Sequence, residues 1–255
     1  MTRLTFRICR WLAAGMLSAV ATVPAAAQQP GVHYFHSANQ PPGTVGAAQA
    51  MRGGPTANYL QPVEIKAPKG ALVSVAVNGE FTEPKDGAIL AGMLVGPVYR
   101  LRVANLKLHE TDEVYPTIEL VSRLHPPPGQ ALRFPIPIEL SQEDLERAIS
   151  GQFVTRVVYL ENPGAALPLR QEPNHAQRYF DAPPGADPLR VADELGRPMA
   201  IIRMGSRVPD LARETTNLGF NYGAPPVVLF DKPPVVPRKS GLEEPIAPSV
   251  KRKPE

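Results

Sequence analysis

The chain has 255 residues, among them 31 prolines, one cysteine, 27 Lys plus Arg and 24 Asp plus Glu. Its formal charge of +3 is carried by Arg3, Arg7 and Arg10, and without them the basic and acidic residues balance at 24 each, which removes the compositional case for a nucleic-acid partner. The single thiol, Cys9, excludes an intrachain disulfide and a multi-thiolate metal site.

Residues 1–27 have the parts of a secretory signal peptide. A positive end without acid precedes an apolar run from Trp11 to Val23, and Ala25-Ala26-Ala27 supplies small residues for a protease. Cleavage is expected between Ala27 and Gln28, with Ala25 and Ala27 as the recognition residues. The apolar run is shorter than the roughly 20 residues a spanning helix needs, so a cleaved leader is favoured over an anchor. Cys9 precedes most of that run, unlike a lipid-attachment cysteine. The mature chain is then cysteine-free and exported, periplasmic or extracellular, with no membrane span.

Residues 28–58 read as a disordered linker rich in Pro and Gly, with no period of 2 or 3.6. His33-Tyr34-Phe35-His36 holds two imidazoles three apart. Nothing nearby makes a helix or gives a third ligand, so an aromatic linker segment is the simpler reading. Order begins near Tyr59. Residues 62–67 and 72–77 read as strands, with a turn at Pro68-Lys69-Gly70 and a hairpin signal at Asn78-Gly79. In the run 92–103, Tyr99, Leu101 and Val103 share one face, Arg100 and Arg102 the other. The two arginines are either a stripe for an acidic partner or a solvated face paired with Glu119.

His109-Glu110-Thr111-Asp112-Glu113 gathers three carboxylates and an imidazole between two strands. Glu110, Asp112 and Glu113 are weak candidates for a divalent cation or for acid–base work, although an acidic loop needs no ligand to exist.

The stretch 115–160 organises the rest. Residues 114–121, 132–140 and 153–160 are short runs rich in β-branched and aromatic residues. In the second, Pro135 and Pro137 delete two donors from the same edge, which predicts a strand at a sheet margin. The third is apolar on both faces, Val154 and Val158 against Val157 and Tyr159, which predicts a central strand. Between them a short helix is signalled by Ser141 as N-cap, Asp144 at capping-box spacing, Leu140 and Leu145 at staple positions and Gly151 as terminator.

Residues 161–184 are irregular. A second helix follows, with Asp187 as N-cap, Pro188 first and Gly196 last, and with Leu189, Ala192 and Leu195 facing the sheet. Residues 199–204 form the strand after it. From 210 to 255 a Pro-rich, largely disordered tail is expected, with Val227-Val228-Leu229-Phe230 able to dock on the domain.

Gly96-Pro97-Val98-Tyr99-Arg100-Leu101, Val114-Tyr115-Pro116-Thr117-Ile118-Glu119, Pro126-Pro127-Pro128-Gly129, residues 133–138, residues 153–160 and residues 196–201 together resemble an exported planctomycete-type family of unknown activity. The resemblance implies export and a shared fold, and it transfers no catalytic residue.

No phosphate loop, nucleophile elbow or paired-His zinc motif occurs, and no cofactor is implied. Residues 59–209 are expected to form one β-rich domain. Its fold is a mainly antiparallel, immunoglobulin-like β-sandwich with two short helices; the alternative is an α+β single sheet. The expected function is an exported non-catalytic binding or structural module of the bacterial cell envelope, its partner an envelope protein or polymer. The alternatives are a secreted hydrolase or carbohydrate-active protein with a site in the loops 109–113 and 161–187, and a cation-dependent adhesion domain.

Overall fold

The computed structural model describes residues 36–52, 58–164, 179, 181–209 and 219–231. They all belong to the compact unit Gly31–Glu255. In chain order the elements are α1 (Thr44–Met51), β1 (Leu60–Lys66), β2 (Leu72–Val77), β3 (Glu80–Phe81), β4 (Lys85–Asp86), β5 (Ile89–Leu94), β6 (Val98–Ala104) and β7 (Thr117–Leu120). Then follow β8 (Ile136–Glu139), α2 (Gln142–Ile149), β9 (Val154–Glu161), α3 (Pro188–Leu195), β10 (Gly196–Met204) and β11 (Val227–Phe230).

The strands make two sheets. The smaller has the order β11-β5-β1-β8; the larger runs β3-β2-β6-β7-β10-β9, with β4 also on β2. Pairing is antiparallel throughout except for β1 with β8, which is parallel. Between the sheets lies one core. Val63, Ile65, Met93, Ile136 and Ile138 come from the smaller sheet; Tyr99, Leu101, Ile118, Leu120 and Ile202 come from the larger. Two sheets sharing an interior make a β-sandwich and exclude the single-sheet alternative. The reversal at Gly96, with φ of +114°, separates β5 in one sheet from β6 in the other.

Local signals act where expected. Asn78 and Gly79 both take positive φ, 52° and 90°, as a two-residue hairpin turn requires. The Ser141 hydroxyl accepts the Asp144 N–H at 3.1 Å and starts α2, and Gly151 closes it at φ 90°. Leu140, Leu145 and Ala148 of this segment are buried in the core, and a fully buried leucine contributes about 1.5–3 kcal/mol.

β8 is a marginal strand. Leu140 N–H donates to Lys66 O, so even-numbered residues turn their donors toward β1. Pro135 and Pro137 fall on the free margin, where their missing N–H groups cost no ladder bond. The expectation for the third run needs correction, because β9 is not central. Among the described residues it ends the larger sheet and pairs only with β10. Its two apolar faces have another cause. Val154 and Val158 pack into the inter-sheet core, while Val157 packs into a second cluster of Ala38, Val45, Val121, Leu189 and Ile201. Two-sided apolarity reports cover above and below a strand, not neighbours on both sides.

That second cluster also corrects the linker. Residues 36–52 are not a free segment: Ala38 and Val45 are buried on the outer face of the larger sheet. After residue 210, the segment expected to dock on the domain, Val227-Val228-Leu229-Phe230, does so. Phe220 is buried, and β11 extends the smaller sheet beside β5. In α3, Asp187 caps Leu189 N–H at 2.8 Å, with Leu189 and Ala192 buried, but Leu195 is exposed rather than facing the sheet. Residues 1–35, including the expected leader, lie outside the described residues.

Candidate functional site

Alternation along the larger sheet puts Tyr99, Ile118 and Ile202 inward, and therefore Arg100, Thr117, Glu119 and Arg203 outward. The register sets Arg100 opposite Thr117 and Thr117 opposite Arg203. This polar strip is not solvated. Glu119 is 0% exposed, Arg203 3% and Arg100 5%, because residues 36–52 fold over the first two and the segment around Phe220 over the third.

Glu119 and Arg203 form a buried ion pair, Oε2 to Nη1 at 2.7 Å. The other carboxylate oxygen accepts Gly46 N–H at 2.6 Å, and Arg203 Nε donates to Ala38 O at 3.1 Å. The pair thus fastens residues 36–52 to the sheet through their backbone. Gly46 must be glycine for the approach, since a β-carbon there would lie 2.7 Å from Gly96 O. Asp187 adds a second tie: besides capping α3, it accepts Ala38 N–H at 3.1 Å and the Ser37 hydroxyl.

Arg100 fastens the other segment. Its Nε donates to Phe220 O at 3.1 Å, its Nη1 donates to Tyr115 O at 2.7 Å, and its guanidinium stacks 4.3 Å from the Phe220 ring centre. Burial pulls its pKa below the usual guanidinium value, an effect that Tyr222 opposes. Next to it, Tyr99 OH accepts Leu94 N–H at 2.7 Å and donates to Pro226 O at 3.1 Å. Burial raises that phenol to about 12. Tyr115 is also pushed up to about 12, first by burial and then by its hydrogen bond to Glu113.

Neither reading of the arginine pair survives this geometry. Arg100 is covered and meets carbonyls, so it is no stripe for an acidic partner. Arg102 pairs with Glu113 at 2.7 Å, and Glu119 pairs with Arg203 instead of crossing to the arginines of β6. The other buried carboxylate among the described residues, Asp144, binds Arg156 through two oxygens at 2.7 and 2.9 Å. That hydrogen bonding raises the Arg156 pKa above its ordinary value.

The acidic loop does not assemble. His109 Nδ1 and Asp112 Oδ2 pair at 3.0 Å, Glu113 is taken by Arg102 and Tyr115, and Glu110 is exposed. Among the described residues no group of three His, Cys, Asp or Glu could hold a metal. Ala25, Ala27, Gln28 and His33 lie outside the described residues; His36 contacts Gln40 at 3.4 Å. Most of the loop 161–187 is likewise outside them.

No family profile, curated protein or solved structure matches this chain.

Among the described residues no helix is long and apolar enough to cross a membrane. What the arrangement can do chemically is hold. Both oxygens of Glu119 are engaged, Arg100 is turned to backbone carbonyls, and Asp144 is neutralised by a two-point contact. None is placed to exchange a proton with an incoming molecule. Sequence reasoning missed this strip because each partner is far away along the chain: Ala38 from Arg203 by 165 residues, Phe220 from Arg100 by 120. The one available signal was a charged residue, Arg100, Glu119 or Arg203, next to inward apolar positions in each of three strands, on the face an open sheet would give to solvent.

Proposed function

We propose that the protein is an exported, non-catalytic module that works by binding or assembly in the bacterial cell envelope. The observation that carries this reading is the use of its buried charges. Glu119, Arg203, Arg100 and Asp144 all serve to tie chain segments to the sandwich. A catalytic site needs ionisable groups poised toward a substrate, whereas these are spent on cohesion. The leader-like residues 1–27 and the resemblance to exported planctomycete-type proteins support the address. Fractionation of producing cells with amino-terminal sequencing tests it. A chain beginning at Gln28 in the periplasm or medium is expected. A chain beginning at Met1 and retained in the cytoplasm refutes export and with it the envelope role.

A further inference from the structure

Among the described residues the sandwich has four sheet margins, and they are not equally guarded. β8 carries Pro135 and Pro137 at its margin, β3 and β4 are two residues each, and β11 is four residues long with Pro225 and Pro226 before it. Short strands and prolines are the usual protection against pairing with another chain. β9 is eight residues long and contains no proline.

Its free side can be phased. Asn162 N–H donates to Leu195 O at 3.2 Å, and Leu160 O lies where a β-carbon on Gly196 would come within 2.1 Å. Even-numbered residues therefore turn their backbone groups toward β10. By alternation Thr155, Val157, Tyr159 and Glu161 turn theirs outward. Among the described residues, none of these four has a backbone partner on that side. Around the margin stand Phe153, Leu160 and Leu195, exposed by 67%, 48% and 39%. A solvated margin has no use for that apolar surface.

We propose that β9 pairs antiparallel with β9 of a second copy, about a two-fold axis through Val158, to join two larger sheets edge to edge. The sequence of β9 is what selects a second copy. An axis at Val158 sets Val157 against the partner's Tyr159, Thr155 against the partner's Glu161, and Arg156 against the partner's Leu160. Each aromatic meets a β-branched residue, each carboxylate meets a hydroxyl, and no like charges face each other. Moving the axis to Tyr159 sets Glu161 against valine. Moving it to Val157 leaves Glu161 outside the pairing. In the favoured register all four outward residues find backbone partners, and the contact is self-complementary and closed. The inference needs neither export nor an envelope address.

Sedimentation velocity over a concentration series tests it on the protein as cells accumulate it, with circular dichroism to verify folding. The expected result is a concentration-dependent dimer. Amides of Val157 and Tyr159 should become protected from hydrogen exchange as the concentration rises. Tyr159→Pro removes an outward donor only, as the natural prolines of β8 do, and should leave a folded monomer. Thr155→Glu places like charges opposite each other twice by symmetry and should raise the dimer midpoint about tenfold, while adding Glu161→Lys should reverse this. The reversal tests the register even if the proline variant does not fold. A monomer at every concentration overturns the proposal, and so does a dimer that Thr155→Glu leaves unchanged.

Discussion

Removing Arg203 while Glu119 stays is expected to destabilise the domain by about 3–5 kcal/mol, the usual cost of stranding one member of a buried pair. Geometry sets that scale. The two groups meet at 2.7 Å under the segment 36–52, so the carboxylate left behind would stay buried without its partner. Arg203→Met keeps much of the stem and deletes the charge, together with the donor to Ala38 O. Changing both partners, Glu119→Leu with Arg203→Met, removes the stranded charge. Such exchanges are often neutral or stabilising by about 1–4 kcal/mol. Here the Gly46 N–H would lose its acceptor, which costs about 1–3 kcal/mol. The double variant should therefore lie within about 2 kcal/mol of the parent, well above Arg203→Met alone. Urea unfolding of the parent, both single variants and the double variant completes a double-mutant cycle. A coupling of at least about 2 kcal/mol is expected. Additivity within about 0.5 kcal/mol would refute the view that charge, rather than packing alone, fastens this layer.

Three further outcomes are expected. The unfolded chain releases phenolic protons near pH 10.0, while folded Tyr99 and Tyr115 keep theirs to about 12. Stability from these groups is therefore level below pH 10 and falls as pH rises through that window; tyrosinate absorbance during alkaline unfolding checks it, and Tyr99→Phe should shrink the loss. Gly46→Ala, which in an open helix gains up to about 1 kcal/mol, should instead lose about 1–3 kcal/mol because the new methyl meets Gly96 O; thermal unfolding decides the sign. Phe220→Ala should cost about 3–5 kcal/mol in urea unfolding, because it empties the socket between Arg100 and Tyr115.

The parts of this fold that could be read in advance depend on near neighbours. Ser141 caps a helix that begins at the next residue, Asn78-Gly79 reverses two adjoining strands, and Pro135 with Pro137 governs one side of its own strand. What escaped reading depends on distant partners. Residues 36–52 hold prolines and glycines that look like a linker, yet Gly46 is small so that α1 can reach Gly96 and Glu119. The apolar pattern of β9 registers cover on its two faces and carries no information about lateral position. Asp144 stands at capping-box spacing, but its carboxylate goes to Arg156, twelve residues on. The acidic loop looked like a site because charge density is visible in a sequence, whereas the arginine that claims Glu113 lies on another strand.

The docking of Phe220 and β11 bears on how the molecule is made. Arg100 and Tyr99 wait for partners 120 and 127 residues later in the chain. Until those residues are available to the folding chain, the guanidinium has no cover and β5 is an open margin of the smaller sheet. Folding must therefore end late, and the nearly finished polypeptide passes through a stage in which unpaired backbone is on offer to whatever is close by.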